Sequence, residues 1–253
     1  MTYEKVFFFP DIHWSERDEA ALEVAWQAWL RFKPDHTVVG GDLLNVGALS
    51  RHDGIRLDED ENYDYVESDL KPARSFVESL TKKSRVTLLE GNHDDRLERW
   101  MLRTDGGRAF QSLLPSRYLG RLPGVKYLQF SGDDWRKQHL RLSPKLAVVH
   151  GWTAGKAALD RHLEWAKPIS IVFFHTHRLA AKSIRLYDGS SQTAVNGGCL
   201  CKLQPVYAHN GSPMDWDHGF VQGYVSRKDH HLFPVGITPE YSCVTPDGGL
   251  IRA

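Results

Sequence analysis

Five short apolar runs punctuate the first two-thirds of the chain: Val6-Phe7-Phe8-Phe9, Thr37-Val38-Val39, Val86-Thr87-Leu88-Leu89, Leu146-Ala147-Val148-Val149 and Ile171-Val172-Phe173-Phe174. Each is short, rich in β-branched or aromatic residues and followed by polar loop residues, so each predicts a strand. Helical patterns lie between them. Leu22, Ala25, Trp26 and Trp29 recur at helical spacing in a segment that Ser15 would cap and that runs to Phe32, with Pro34 beyond its end. A second helix fits Tyr63 to about Thr81, and a third starts near Asp94, where Asp94 and Asp95 favour a helix amino terminus. Another spans Ala154 to Ala166, ahead of Pro168. This alternation is the mark of βαβ units around a largely parallel sheet. After His177 the runs shorten and alternate (Ala181 to Tyr187, Gln192 to Val195, Gly219 to Val225, His231 to Val235), which predicts antiparallel strands. Residues 104–145 have weak periodicity and several Gly and Pro, and are expected to form an insertion over the site.

The polar residues just past each apolar run carry the chemistry. Pro10-Asp11-Ile12-His13, Gly40-Gly41-Asp42, Gly91-Asn92-His93-Asp94, His150-Gly151 and His175-Thr176-His177 sit at the five strand ends, so the polar groups are expected to gather along one edge of one sheet. Carboxyl ends of strands are where open α/β sheets bind ligands. Together the segments can supply seven metal-ligating side chains, as a two-metal hydrolase needs and a binding module does not. Carboxylate plus imidazole suits borderline divalent ions such as Mn²⁺, Fe²⁺ or Zn²⁺, whereas an all-oxygen set would favour Mg²⁺ or Ca²⁺. The neutral Asn92 limits the negative charge and keeps bound cations electrophilic. A lone histidine at a strand end is more often packed or solvated than a ligand, but five such segments in series outweigh that reading.

Composition narrows the setting. A chain of 253 residues with 41% hydrophobic content suits one compact α/β domain spanning 1–253. It holds no apolar stretch of membrane-spanning length, and Met1-Thr2-Tyr3-Glu4-Lys5 lacks the organisation of a signal peptide, so the expected location is the cytoplasm, with no membrane association. Three cysteines cannot all pair internally; Cys199 and Cys201, two apart, are expected on one face of a strand as core packing. The net charge of zero is unevenly spread, with Lys/Arg outnumbered by Asp/Glu 11 to 20 in residues 1–95 and outnumbering them 11 to 4 in 96–145. A basic middle can steer a phosphate-bearing ligand, though an ordinary solvated surface gives the same count, and the acidic run Leu57-Asp58-Glu59-Asp60-Glu61 would repel long nucleic acid if it faces the site, so charge alone does not choose a substrate.

The five segments, taken in order, resemble the pattern D-x-H, G-D, G-N-H-[DE], H and G-H-x-H of the calcineurin-like metallophosphoesterase superfamily, across roughly residues 6–180. The short form looks like its stand-alone bacterial and bacteriophage members. One departure is Phe174, where the family usually has glycine. The resemblance implies an α/β fold, a four-layer αββα sandwich with mixed sheets and the metal site at strand carboxyl ends. It implies that Asp11, His13 and His177 hold one ion, Asn92, His150 and His175 the second, with Asp42 bridging both and counted as catalytic for that reason. Two divalent ions, Mn²⁺ first with Fe²⁺, Zn²⁺ and Ni²⁺ as alternatives, would share a hydroxide that attacks a phosphoester in line. His93 matches the family position of the general acid. The Ser/Thr phosphatases of the superfamily continue G-D with x-x-D-R-G, and this chain reads Gly41-Asp42-Leu43-Leu44-Asn45-Val46-Gly47, without the acid or the arginine.

That loss tilts the expected substrate toward phosphodiesters in a nucleotide or nucleic acid, because a singly charged diester needs less cationic help than a monoester. A phosphomonoesterase is the alternative, and a metal-binding interaction scaffold without catalysis the lesser one. Arg51, His52 and Arg96 are the candidate substrate contacts, each weighed against an ordinary surface or salt-bridge role, and Trp14 against packing under its loop. No obligate protein partner is inferred, and Asn196-Gly197-Gly198 is read as structural.

Overall fold

The computed structural model describes residues 2–49, 59–102, 110–130, 134–204 and 215–253. The elements in the first half are β1 (Glu4–Phe9), α1 (Glu19–Phe32), β2 (His36–Val39), α2 (Glu59–Thr81), β3 (Arg85–Leu89), α3 (Arg96–Met101), α4 (Pro115–Tyr118) and β4 (Val125–Leu128). Then come β5 (Leu140–Ser143), β6 (Leu146–Val148), α5 (Ala158–Ala166), β7 (Ser170–Phe173), β8 (Leu179–Arg185), β9 (Ser191–Gly197), β10 (Gly219–Val225), β11 (His230–Gly236), β12 (Ser242–Val244) and β13 (Leu250–Arg252).

The strands form two large mixed sheets, ordered β11-β10-β1-β2-β3-β4 and β5-β6-β7-β9-β8, with β12 and β13 as a separate pair. In the first sheet β1 to β4 run parallel while β10 and β11 return antiparallel; in the second, β6, β7 and β9 are parallel and flanked by antiparallel β5 and β8. Period-two alternation explains the layering. Val6, Phe8, Val38 and Leu89 of the first sheet meet Val148, Val172 and Val195 of the second in one buried cluster. The opposite face of the first sheet, with Phe7, Phe9, Val39 and Leu88, packs on α1 and α2 through Ala25, Trp29, Leu70 and Val77. On the far side, Ile171, Phe173 and Ala194 pack on Ala158, Leu163 and Ala166 of α5. The result is helix, sheet, sheet, helix.

Several expectations are corrected here. The five polar segments do not share one sheet: three follow β1, β2 and β3, and two follow β6 and β7 of the facing sheet. Apolar runs report burial and not sheet membership, so strand partners could not be assigned from them. Residues 104–145 are no simple insertion, because their described part supplies β4 and β5, an edge strand to each sheet. The first helix is capped by Asp18, whose carboxylate accepts from Ala21 N at 3.0 Å; Ser15 lies in a preceding 3₁₀ turn. α5 begins four residues later than its periodicity implied, and α3 begins at Arg96 because Asp94 turns its side chain back into the loop. Cys199 and Cys201 lie past the end of β9, in isolated bridges to His218 and Arg17. Arg51, His52, Leu57 and Asp58 lie outside the described residues. Among the described residues, no helix is long and apolar enough to cross a membrane.

Candidate metal centre

Each candidate ligand sits immediately past a strand that ends in buried apolar residues, so the chain must reverse sharply at the sheet edge. His13, Asp42, His175 and His177 take left-handed backbone angles, with φ of 48°, 49°, 71° and 58°. Such conformations cost of order 1 kcal/mol or more each for residues with a β-carbon, and persist where surrounding bonds over-determine them. Those bonds are present: Ile12 N and His13 N both donate to Asp42 O, at 3.1 and 2.9 Å, locking the first loop onto the second. Asp94 accepts from Gly91 N at 2.7 Å and Leu44 N at 2.9 Å, joining the second loop to the third. His175 N donates to the Asp11 carboxylate at 3.1 Å, which ties the facing sheet to the first. Glycine is required where the loops touch, since a β-carbon at Gly91 would overlap the backbone nitrogen and carboxylate of Asp42. Likewise Phe174 fills the space left by Gly40 and Gly197, so the residue that departs from the family pattern packs between the sheets and leaves both neighbouring imidazoles at the edge.

The seven side chains converge. On one side His13 Nε2 lies 3.1 Å from His177 Nε2, and His177 Nε2 lies 3.4 Å from Asp11 Oδ1. On the other, His150 Nε2 lies 3.1 Å from Asn92 Oδ1, and His150 and His175 present ring nitrogens within 4.8 Å of an Asp42 oxygen and of each other. Asp42 Oδ2 sits between the two sides, 3.7 Å from His13 Nε2 and 3.4 Å from His150 Nε2. Two donors each about 2.1 Å from one cation, at tetrahedral or octahedral angles, stand about 3.0–3.4 Å apart. The donor spacings therefore fit divalent ions, and the nitrogen and oxygen chemistry fits Mn²⁺, Fe²⁺ or Zn²⁺. Asp11, His13, Asp42, His150 and His177 are all buried. A cluster this dry repels protons from some members and concentrates them on others. Burial and the neighbouring His93 hold His13 well below its ordinary value. For His150, burial pulls the other way but the Asp42 carboxylate dominates and lifts it to about 9. Burial also opposes the charge on Asp42, yet the surrounding imidazoles of His150, His93 and His13 keep its carboxyl well below the usual range.

His93 borders this cluster, its ring 4.2 Å from that of His13 and its backbone N–H donating to Asp42 Oδ1 at 2.7 Å. The group that orients it, which the sequence did not reveal, is Asn45: His93 Nδ1 lies 3.1 Å from Asn45 Oδ1 and 3.3 Å from Asn45 O. Arg96 occupies the other nitrogen, donating to His93 Nε2 at 2.8 Å and to Asn45 O at 3.1 Å. Burial and Arg96 outweigh the pull of Asp42 and bring His93 down to about 4. The charged form of this ring is thus disfavoured, and Arg96 brings a guanidinium to its Nε2 edge.

Three further residues escaped the sequence reading. Asp69 of α2 accepts the backbone N–H groups of Ser15, Asn45 and Val46, each at 2.9 Å. Cys201 places its sulfur 3.8 Å from His177 Nδ1, and Trp216 sets its ring edge-on to that of His177 at 4.1 Å. Only spacing could have pointed to Asn45, three residues past Asp42; Asp69, Cys201 and Trp216 arrive from distant segments. Trp14 is packing, its ring 5.4 Å from that of Phe76 in the core. Asn196 bonds the Thr176 hydroxyl between the two histidines, a structural role as expected.

The calcineurin-like phosphoesterase family model matches residues 4–196. Among solved structures, hypothetical protein PH1004 from Pyrococcus horikoshii OT3 is similar in fold, with a TM-score of 0.51 at 10% identity over 93% of this chain and 88% of that one. Vacuolar Protein Sorting 29 from Cryptosporidium parvum aligns with a TM-score of 0.49 at 12% identity, over 100% of this chain and 97% of that one. Yfce, a phosphoesterase from E. coli, aligns with a TM-score of 0.41 at 17% identity, over 92% and 100% respectively. No curated protein sequence matches the chain.

Proposed function

Because the chain belongs to the calcineurin-like phosphoesterase family, we propose that it is a metal-dependent phosphoester hydrolase that prefers phosphodiesters in a nucleotide or nucleic acid. The observation that carries this reading is the position of Asp42, whose Oδ2 faces the imidazoles of both halves of the cluster at 3.7 and 3.4 Å. Asp11, His13 and His177 would hold one divalent ion and Asn92, His150 and His175 the other, with Asp42 between them. Bound there, the two ions would lower the pKa of a water and neutralise phosphate charge.

The chain's own residues supply positioning and charge. His150 is oriented through its Nδ1, which bonds Gly40 O at 2.9 Å, and turns its Nε2 toward Asn92 Oδ1 and Asp42 Oδ2 in the cluster. Arg96 reaches the same edge from α3 and holds His93, and its guanidinium can fork onto a phosphate oxygen. Among the described residues His93 is held by Arg96 and Asn45 and has no carboxylate at either ring nitrogen, an arrangement that matches a singly charged ester better than a doubly charged one. This supports the diester preference, with the monoester as alternative.

The test is metal content by elemental analysis of the purified protein, together with turnover of bis-p-nitrophenyl phosphate and p-nitrophenyl phosphate after chelation and return of Mn²⁺. About two ions per chain and faster diester turnover are expected. Asp42→Asn should abolish turnover while the fold persists. Activity that survives chelation, or an Asp42→Asn variant with intact turnover, defeats the proposal. Preference for the monoester reverses only the substrate order, and metal binding without turnover of either ester leaves a scaffold.

A further inference from the structure

The two halves of the cluster differ in what stands behind their imidazoles. A histidine that ligates a metal through one ring nitrogen needs an acceptor for the proton on the other, because that bond fixes both the tautomer and the ring orientation. His150 has the common solution, a backbone carbonyl: its Nδ1 donates to Gly40 O at 2.9 Å. His177 does not. Among the described residues its Nδ1 finds the sulfur of Cys201, at 3.8 Å, while its Nε2 points at His13 Nε2 and Asp11 Oδ1, at 3.1 and 3.4 Å.

We propose that Cys201 is a positioning residue for His177, its buried sulfur accepting the Nδ1–H bond and so aiming a bare Nε2 at the first metal position. This rests on the metal-site reading above and adds to it an outer partner on a segment beyond residues 4–196, the stretch the family model covers. The sulfur is held in place from several sides. Cys201 forms an isolated bridge with Arg17, and its carbonyl accepts from His218 Nε2 at 2.9 Å. The Trp216 ring closes on His177 edge-on at 4.1 Å and 71°, which leaves the imidazole little freedom to rotate away from the sulfur. Plain core packing is represented by Cys243, as buried as Cys201 but set in the apolar core cluster. A sulfur is a weaker acceptor than a carbonyl oxygen. The first ion is therefore the one whose affinity depends on a side chain that can be exchanged without touching a ligand.

Calorimetric titration of the chelator-treated 253-residue chain with Mn²⁺ alone tests this on the wild type, Cys201→Ala, Cys201→Ser and Cys243→Ala. Outer-partner loss lowers metal affinity by about 10–100-fold. Cys201→Ala should weaken one of two binding steps by that factor and leave the other unchanged; Cys201→Ser, which keeps an acceptor on a shorter bond, should fall between, and Cys243→Ala should match the wild type. Absorption of the Co²⁺-loaded proteins should show no sulfur-to-metal charge-transfer band. Equal affinities in Cys201→Ala and wild type overturn the assignment. So does a charge-transfer band that vanishes in Cys201→Ala, which would make the sulfur a ligand. Should Cys201→Ala fail to fold, the serine variant decides by the same comparison. A wild type that binds no Mn²⁺ overturns the metal-site reading itself, a different result from one in which only the cysteine variants match the wild type.

Discussion

Replacing Asp69 should loosen the metal centre from a distance. Its carboxylate, buried on α2, accepts three backbone N–H groups at 2.9 Å: Ser15 from the loop after β1, and Asn45 and Val46 from the loop after β2. Hydrogen bonds to a charged group contribute about 1.5–3 kcal/mol each. Against them stands the desolvation of the carboxylate, large enough that burial raises its pKa despite all three bonds. The net cost of Asp69→Ala therefore falls well below the gross sum, at about 3 kcal/mol, mostly from N–H groups left without acceptors. In Asp69→Asn one oxygen still serves Asn45 and Val46, whose donors share Oδ2, while the amide N–H₂ faces Ser15 N–H, so about half that loss is expected. For a chain of this length about 3 kcal/mol lowers Tm by about 6–12 °C. Both variants should also bind Mn²⁺ more weakly, since Asn45 is the group that holds His93 and its loop carries Asp42. Thermal melting with and without Mn²⁺ gives both quantities. A Tm for Asp69→Ala within about 2 °C of wild type, with unchanged Mn²⁺ affinity, would refute the claim that this carboxylate clamps the loops.

Two further outcomes are expected. Arg96→Ala should reduce kcat/KM for a diester by about 10–100-fold, the loss of one charge-assisted contact, and Arg96→Lys should not restore it, because a single ammonium nitrogen lacks the planar fork that sends one terminal nitrogen to Asn45 O and the other to His93 Nε2; wild-type rates in the lysine variant would count against the forked role. Stability should also respond to acid at a place remote from the metals, where buried His36 donates from Nε2 to Thr87 Oγ1 at 2.8 Å and accepts from Arg85 at Nδ1 at 3.0 Å. Burial, with Arg85 and Lys126, lowers its pKa from 6.5 to about 4. The folded state then binds fewer protons than the unfolded one between those values, so stability present above pH 6.5 is lost as pH falls toward 4, by up to about 3 kcal/mol. His36→Gln, which keeps a donor and an acceptor, should remove this part of the slope in urea melts at pH 4.5 and 7; identical slopes would dismiss it.

Much of the candidate site was legible because its proposed ligands are local punctuation. Asp11, His13, Asp42, Asn92, His150, His175 and His177 each stand within a few residues of an apolar strand end, and short-range order along the chain records that directly. The five strands that precede these residues, the runs of β8 to β11 after His177 and the first two crossovers follow from periodicity for the same reason. Periodicity failed on β4, β5 and α4, where short edge elements bury too few side chains to impose a pattern.

By itself, then, the sequence determined which residues are the candidates for the chemistry and that they follow strand ends, since apolar patterning and tight turns are written in neighbouring positions. Only the tertiary structure decided that these strands divide between two facing sheets, that Asn45 and Arg96 share His93, and that Asp69 and Cys201 stand behind the cluster. Those are contacts between segments far apart in the chain. They are set by how the two sheets stack and where the helices lie, and no local pattern encodes the partner of a buried carboxylate or the acceptor behind an imidazole.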